Sequence, residues 1–353
     1  MSRLLVLVTG TGRSGTSTIS GSLHHLGLHV PGPYLGANKS NPKGFYESTW
    51  AVDFHKKITK RARVNDFDGQ PDALDRVRAA ITPEMKGELA TWLSEHSDGA
   101  DQVVVKDPRS VWAQRLWRDA AREAGLEIRY LSMLRHPAEV IGSRATYYAS
   151  KTDESRRRRY EVCSVGRWVN GSLISERETR GTPRTFVPYT DLLDDWRSVI
   201  GRVRDELGLT LNTDLNPDEH HPVDDFVDPN LRRVRVTWDE LSVPGELEST
   251  AQAVWDELMV LCARGAVDAD TQGRLDALAD RYRQTYEDAQ AIALDATATA
   301  VEEGRRRGVK AATQRAARAT RDLPLEERPL RDISGRELLQ AAGRRLTARL
   351  RRR

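Results

Sequence analysis

Cysteine is scarce, with only Cys163 and Cys262 in 353 residues. Two thiols exclude a disulfide scaffold and a cysteine zinc site, and are expected to be reduced and partly buried. Long apolar runs are missing as well. No stretch approaches the roughly 20 apolar residues of a spanning helix, and Leu4 to Val8 is too short for a secretory core. A cytoplasmic protein is the expectation. No cluster of potential metal ligands stands out, so no metal is expected. Aromatic residues do not interleave the arginines near the C-terminus, which argues against a nucleic-acid partner.

What is present is unevenly distributed. The net charge of +3 conceals a basic end: residues 301 to 353 hold 16 Lys and Arg against 7 Asp and Glu, leaving the rest of the chain acidic. The length suits one domain with an extension. The divisions expected are a domain over residues 1–265, a helical extension over 266–323 and a basic tail over 324–353.

Strand and helix signals alternate. Leu4-Leu5-Val6-Leu7-Val8 is continuously apolar and stops at glycine, the mark of a buried strand over Arg3 to Thr9. Helical character follows from Thr16 to Leu26, closed by Gly27. Asp101 to Lys106 repeats the strand and Val111 to Ala124 the helix. Glu127 to Leu134 is a third strand, with a helix from Pro137 to Ala149 that starts on proline. Arg184 to Pro188 is a fourth, followed by a helix from Asp191 to Leu207. Such alternation predicts an α/β fold, a three-layer P-loop-like parallel sheet flanked by helices, with ligands at the strands' carboxyl ends. Asp72 to His96 is expected to be helical around a break at Thr82-Pro83, and Tyr160 to Thr179 helical and amphipathic.

From Gly245 the pattern is wholly helical. Leu275, Leu278, Tyr282, Thr285, Ala289 and Ile292 form a short heptad-like seam, either packed on its own domain or meeting a second copy in a homodimer. A last helix from Ser334 sets Leu339, Ala342, Leu346 and Leu350 on one face among Arg336, Arg344, Arg345, Arg349 and Arg351 to Arg353. A solvated tail and a peripheral contact with an anionic membrane are both open.

The chemistry concentrates at strand ends. Gly10-Thr11-Gly12-Arg13-Ser14-Gly15-Thr16-Ser17 joins a strand to a helix, so backbone N–H groups and hydroxyls can converge on an anion. A nucleoside-triphosphate loop would carry lysine straight after Gly15, where this chain has Thr16. The cation sits upstream at Arg13, able to pair bidentately with a phosphate. The second strand delivers Lys106-Asp107-Pro108-Arg109 to the same edge. The third ends in Leu134-Arg135-His136-Pro137, with Ser143 on the helix that follows, a second phosphate pocket. His136 is read as a loop residue orienting Arg135.

With its GRSGT, GFYE, KDPR and RHP motifs, the sequence over residues 3 to 235 resembles the bacterial branch of the PAPS-dependent sulfotransferases. The resemblance implies that Gly12, Arg13, Ser14, Gly15, Thr16 and Ser17 hold the 5′-phosphosulfate of PAPS, and that Arg135 and Ser143 hold the 3′-phosphate. By the same resemblance Tyr189 lies near the adenine, although ordinary helix capping accounts for that segment equally well. Phe226 to Arg233 is similar to a basic closing loop whose Arg232 or Arg233 touches the nucleotide or the acceptor. Many relatives place a catalytic histidine where this chain has Pro108. The base is then expected at Glu47, at the end of the GFYE stretch, with Asp107 in reserve. His55, eight residues on, is read as structural.

The implied reaction passes a sulfuryl group from PAPS to an acceptor hydroxyl, leaving PAP. Arg13 and Lys106 would balance the growing charge and Glu47 would take the proton, with no metal required. A glycan, glycolipid or lipid-linked precursor is the acceptor expected, and a soluble natural product is the alternative. Trp50, Trp92, Trp112, Trp117 and Trp168 either fill the core or stack on acceptor rings. A P-loop kinase using Asp107 on magnesium and a non-catalytic nucleotide- or lipid-binding scaffold are the rival readings.

Overall fold

The structure, a computed structural model, describes residues 3–38, 41, 43–148, 153–228, 235–324, 327–329, 332–340 and 342. The chain divides into two compact units, residues 1–286 and 287–353.

The first unit is built on four parallel strands. In chain order its elements begin with β1 (Arg3–Gly10), α1 (Thr16–His25), α2 (Thr49–Ala62), α3 (Ala73–Ala80) and α4 (Pro83–His96). Next come β2 (Gln102–Lys106), a 3-10 turn at Pro108–Trp112, α5 (Gln114–Glu123), β3 (Leu126–Leu134), α6 (Pro137–Tyr148) and α7 (Glu154–Thr179). After β4 (Arg184–Pro188) the chain is helical, through α8 (Tyr189–Asp194), α9 (Trp196–Leu207), α10 (Pro222–Phe226), α11 (Gly245–Arg264) and α12 (Ala269–Ile292).

The strand order is β2-β1-β3-β4. The chain leaves β1 toward β2 and then returns to β3 on the other side of β1, so the direction reverses at the carboxyl end of β1. That is where an open parallel sheet presents a crevice to a ligand. Register aligns the chemistry there: Val8 pairs with Lys106, Gly10 with Met133, and Leu134 with Pro188.

Continuous apolar strands arise because both faces of the sheet are covered. Leu5, Leu7, Val103, Val105, Ile128 and Tyr130 point into one core, shared with α2 to α5. Leu4, Val6, Val8, Val104, Leu131 and Val187 point into the other, against α1 and α9. Each such buried Val or Leu contributes roughly 1.5–3 kcal/mol. A third core joins α6, α7, α11 and the start of α12 through Trp168, Val254, Leu258 and Leu275.

Several boundaries differ from the sequence reading for local reasons. The helix expected over Asp191 to Leu207 is split, because Asp195 caps α9 by accepting from the Ser198 N–H at 3.1 Å. The helix expected from Val111 is preceded by the 3-10 turn, which Asp107 caps by accepting from the Arg109 N–H. Helix α7 starts at Glu154, capped by Asp153, so the arginine run before Tyr160 is helical. Thr82-Pro83 does mark a break, with Thr82 capping α4.

Along the seam, Leu275 and Tyr282 are buried within the first unit, and the Tyr282 hydroxyl donates to the Gly69 carbonyl at 2.7 Å. In the second unit, α13 (Leu294–Asp322) has no buried residues and carries Glu302 paired with Arg305 and Arg306. Residues 335–340 are helical. Leu346, Leu350, Arg344, Arg345, Arg349 and Arg351 to Arg353 lie outside the described residues, as do Arg232 and Arg233. No helix among the described residues is long and apolar enough to cross a membrane.

Candidate functional site

The loop after β1 is held by its own backbone. Ser14 donates from both N–H and Oγ to the Thr11 carbonyl, at 3.2 and 2.5 Å. Arg13 has a φ of 77°, costly for a residue with a side chain, and so keeps about 1–3 kcal/mol of strain in the turn. Gly15, with φ 88°, opens α1 in the left-handed region. A methyl group there would collide with the Tyr189 ring. Gly15→Ala is therefore expected to destabilise the fold by about 2 kcal/mol or more and to displace Tyr189. A lowered urea midpoint checks this.

The strand ends converge on this turn. Arg135 donates Nη1 to the Arg13 carbonyl at 3.0 Å and Nε to Glu139 at 3.0 Å. Arg13 donates Nε to Ser143 Oγ at 3.2 Å. Tyr189, the first residue of α8, lies against Gly15, and the Arg135 guanidinium stands 5.2 Å from its ring centroid. Arg13, Arg135, Ser143 and Tyr189 thus surround one loop. Glu139 orients Arg135, whereas His136 meets Gln252 at 3.0 Å and packs edge-on to Trp238 and Trp255. The orienting role expected of His136 therefore falls to Glu139, one helical turn beyond Arg135.

On the other side of the loop, Lys106 binds Glu47 Oε1 and donates to Ser17 Oγ at 3.1 Å. Lys106 is 3% exposed and Glu47 6%, so this is a buried ion pair. The arrival of Glu47 is set by backbone. Tyr46 takes a φ of 52°, and the Leu35 N–H holds the Glu47 carbonyl at 2.9 Å. The second carboxylate oxygen of Glu47, Oε2, has no hydrogen bond among the described residues. Gly12, Ser14, Thr16 and Ser17 complete the turn, with Ser14 and Thr16 buried. Of the sequence-derived site residues, Arg232 and Arg233 lie outside the described set.

Asp107 is engaged differently. Its Oδ2 accepts from His55 Nδ1 at 2.8 Å, and its Oδ1 from the Arg109 N–H and Nη1 at 3.0 and 2.8 Å. His55 in turn accepts from Trp117 Nε1 at 2.7 Å, which fixes its proton on Nδ1 and its role as structural. Burial pushes the Asp107 carboxyl up, but the hydrogen bond from His55 and the neighbouring Arg109 guanidinium outweigh it and lower the pKa to about 2. A depressed carboxylate stabilises the fold above its ordinary value of 3.8 and loses that contribution as pH falls through about 2. Asp107→Asn should flatten the stability loss between about pH 4 and pH 2 by roughly 2 kcal/mol, read from urea midpoints across that range.

Sequence reasoning missed other parts. Arg144 reaches the Gly12 carbonyl at 3.4 Å and lies 4.4 Å from the Phe67 ring centroid. Arg109 bridges Asp107 to Asp66, at 2.8 Å from each. Arg144 directly follows Ser143, a signal that was available; Phe67 has no motif around it. At the ends of β3 and β4, Arg135 and Tyr189 face a cavity of about 470 Å³ walled by Trp238 and Trp255. Trp92, Trp112, Trp117 and Trp168 are buried in the cores, and Trp50 stacks on Trp92.

Some solved structures are distantly similar to the chain. One is the sulfotransferase domain from the olefin synthase of Synechococcus PCC 7002, at 17% identity and a TM-score of 0.41, covering 72% of this chain and 95% of that one. Another is sulfotransferase STF1 from Mycobacterium tuberculosis H37Rv, at 14% and 0.39, covering 72% and 77%. A third is the sulfotransferase domain from the curacin biosynthetic pathway, at 15% and 0.39, covering 73% and 98%. Likenesses this remote carry no argument about substrate. No curated protein matches the chain. The Sulfotransferase family model, however, matches residues 6–213, more than half of the sequence. That span includes Arg13, Glu47, Lys106, Arg135, Ser143 and Tyr189, the residues gathered around the loop, and by this match the chain belongs to the sulfotransferase family.

Proposed function

We propose that the protein transfers a sulfuryl group from PAPS to a hydroxyl of a glycan or lipid-linked acceptor. The observation that carries this reading is the meeting of Arg13, Lys106 and Glu47 at the mouth of one glycine-rich turn. The turn and the N-terminus of α1 offer N–H groups and hydroxyls to the 5′-phosphosulfate. Arg135, Ser143 and Tyr189 stand on the side where the nucleoside and its 3′-phosphate belong.

In this reading Glu47 removes the acceptor proton as the acceptor oxygen bonds to sulfur and the bond from sulfur to the phosphate oxygen breaks. Lys106 and Arg13 balance the charge that collects on the departing phosphate, each worth about 3–4 kcal/mol if preorganised. The buried pair has a further consequence. An anionic donor competes with Glu47 for Lys106, so that as Lys106 turns to the donor the Glu47 carboxylate is released to meet the acceptor hydroxyl. Asp107, whose two oxygens are already engaged, fits neither the base nor a magnesium ligand. Arg13 and Lys106 supply the positive charge that magnesium supplies in kinases, so transfer is read as metal-independent. The basic C-terminal residues would keep a cytoplasmic enzyme near membrane-made acceptors.

Incubation with labelled PAPS and fractionated glycan and lipid extracts of the source organism tests the reading. Label is expected in a carbohydrate- or lipid-bearing product; transfer to no fraction contradicts it.

A further inference from the structure

Beside the transfer centre, α2 and α7 border an open cavity of about 540 Å³. Its wall includes Lys56 and Lys60 from α2, Arg167 from α7, and Asp66 and Phe67 from the segment after α2. The single carboxylate there is already engaged, because Asp66 Oδ2 accepts from Arg109 Nε at 2.8 Å. Lys56 has only a long contact of 3.6 Å to exposed Asp53, which is worth little in water. The side chains of Lys60 and Arg167 have no ion-pair or hydrogen-bond partner among the described residues.

Exposed lysines on one helix face are ordinarily just solvated. Here they are joined over the same hollow by a half-buried arginine from a helix far along the chain. The hollow also adjoins the site through Phe67. Phe67 packs against Gly12 of the phosphate turn, and Arg109, which grips Asp66, also binds Asp107, the neighbour of Lys106.

We propose that this cavity is the anion subsite for the acceptor. The acceptor then carries, besides the hydroxyl presented to Glu47, a phosphate or carboxylate held by Lys56, Lys60 and Arg167. Arg167 can engage such a group through two parallel N–H bonds, with the lysines as point charges. The substrate class becomes an acidic sugar unit, phosphorylated or uronic, in place of a neutral alcohol or phenol. This inference rests on the sulfuryl-transfer reading.

Calorimetry on the full chain saturated with PAP tests it, with glucose, glucose 1-phosphate and glucuronate titrated in turn. At least one of the two acidic sugars is expected to bind about tenfold or more tighter than glucose. The preferred one identifies the group as phosphate or carboxylate. The double substitution Lys60→Gln/Arg167→Gln should abolish that preference and leave PAP affinity intact, whereas Lys60→Arg should retain it. Equal binding of all three sugars, or a preference that survives the double substitution, overturns the anion subsite alone. PAP that does not bind the unmodified chain overturns the donor reading beneath it.

Discussion

Glu47→Gln is expected to leave PAP affinity unchanged and to lower turnover with PAPS and acceptor by about 10²- to 10⁴-fold, the usual contribution of a positioned base. The substitution keeps the shape of the side chain and an oxygen for Lys106, so the turn that binds the donor should not move. What it removes is the capacity of the group at Oε2 to accept a proton. Single-turnover rates with bound PAPS check the prediction, because they isolate the chemical step from product release. Turnover close to that of the unmodified protein would take Glu47 out of its role and return the question to other groups at the loop mouth.

Lys106→Met should be the more damaging change, because two losses coincide. Glu47 would be left buried without its cation, a situation that costs about 3–5 kcal/mol. The rate would fall about 10²- to 10³-fold through loss of the charge on the departing phosphate. The two effects separate in the double variant Lys106→Met/Glu47→Gln. Stability, read from urea midpoints, should recover most of the single-variant loss, since no unpaired charge remains inside. Turnover should stay at least as low as in either single variant. A single variant as stable as the parent would mean that the pair is not buried in solution.

The sheet was legible because its strands are buried on both faces, so Leu4 to Val8 and Val103 to Val105 carry an uninterrupted apolar signal. The same burial makes strand ends conspicuous: the first charged residue after an apolar run, Lys106 or Arg135, stands at the carboxyl edge. Helix α2 was harder to see. Its buried face of Val52, Phe54, His55, Ile58 and Thr59 has helical spacing, but Lys56, Lys57, Lys60 and Arg61 dilute the apolar count. Contacts that depend on distant segments were not legible. Nothing local to Asp66 or Phe67 announces that they meet Arg109 and Arg144, and nothing near Trp255 says that it shares a wall with Tyr189. Asp107 shows the same limit. Its place beside Lys106 suggested chemistry, and nothing local announces that His55 arrives from α2 to bind it.

The central claim is that the turn from Gly10 to Ser17 is a PAPS site served by protein cations. Calorimetric titration of PAP into the full chain, with and without magnesium, tests it most directly. The account predicts saturable one-to-one binding that magnesium does not alter and that Arg13→Ala weakens. Binding of ATP only in the presence of magnesium, with no affinity for PAP, would contradict it.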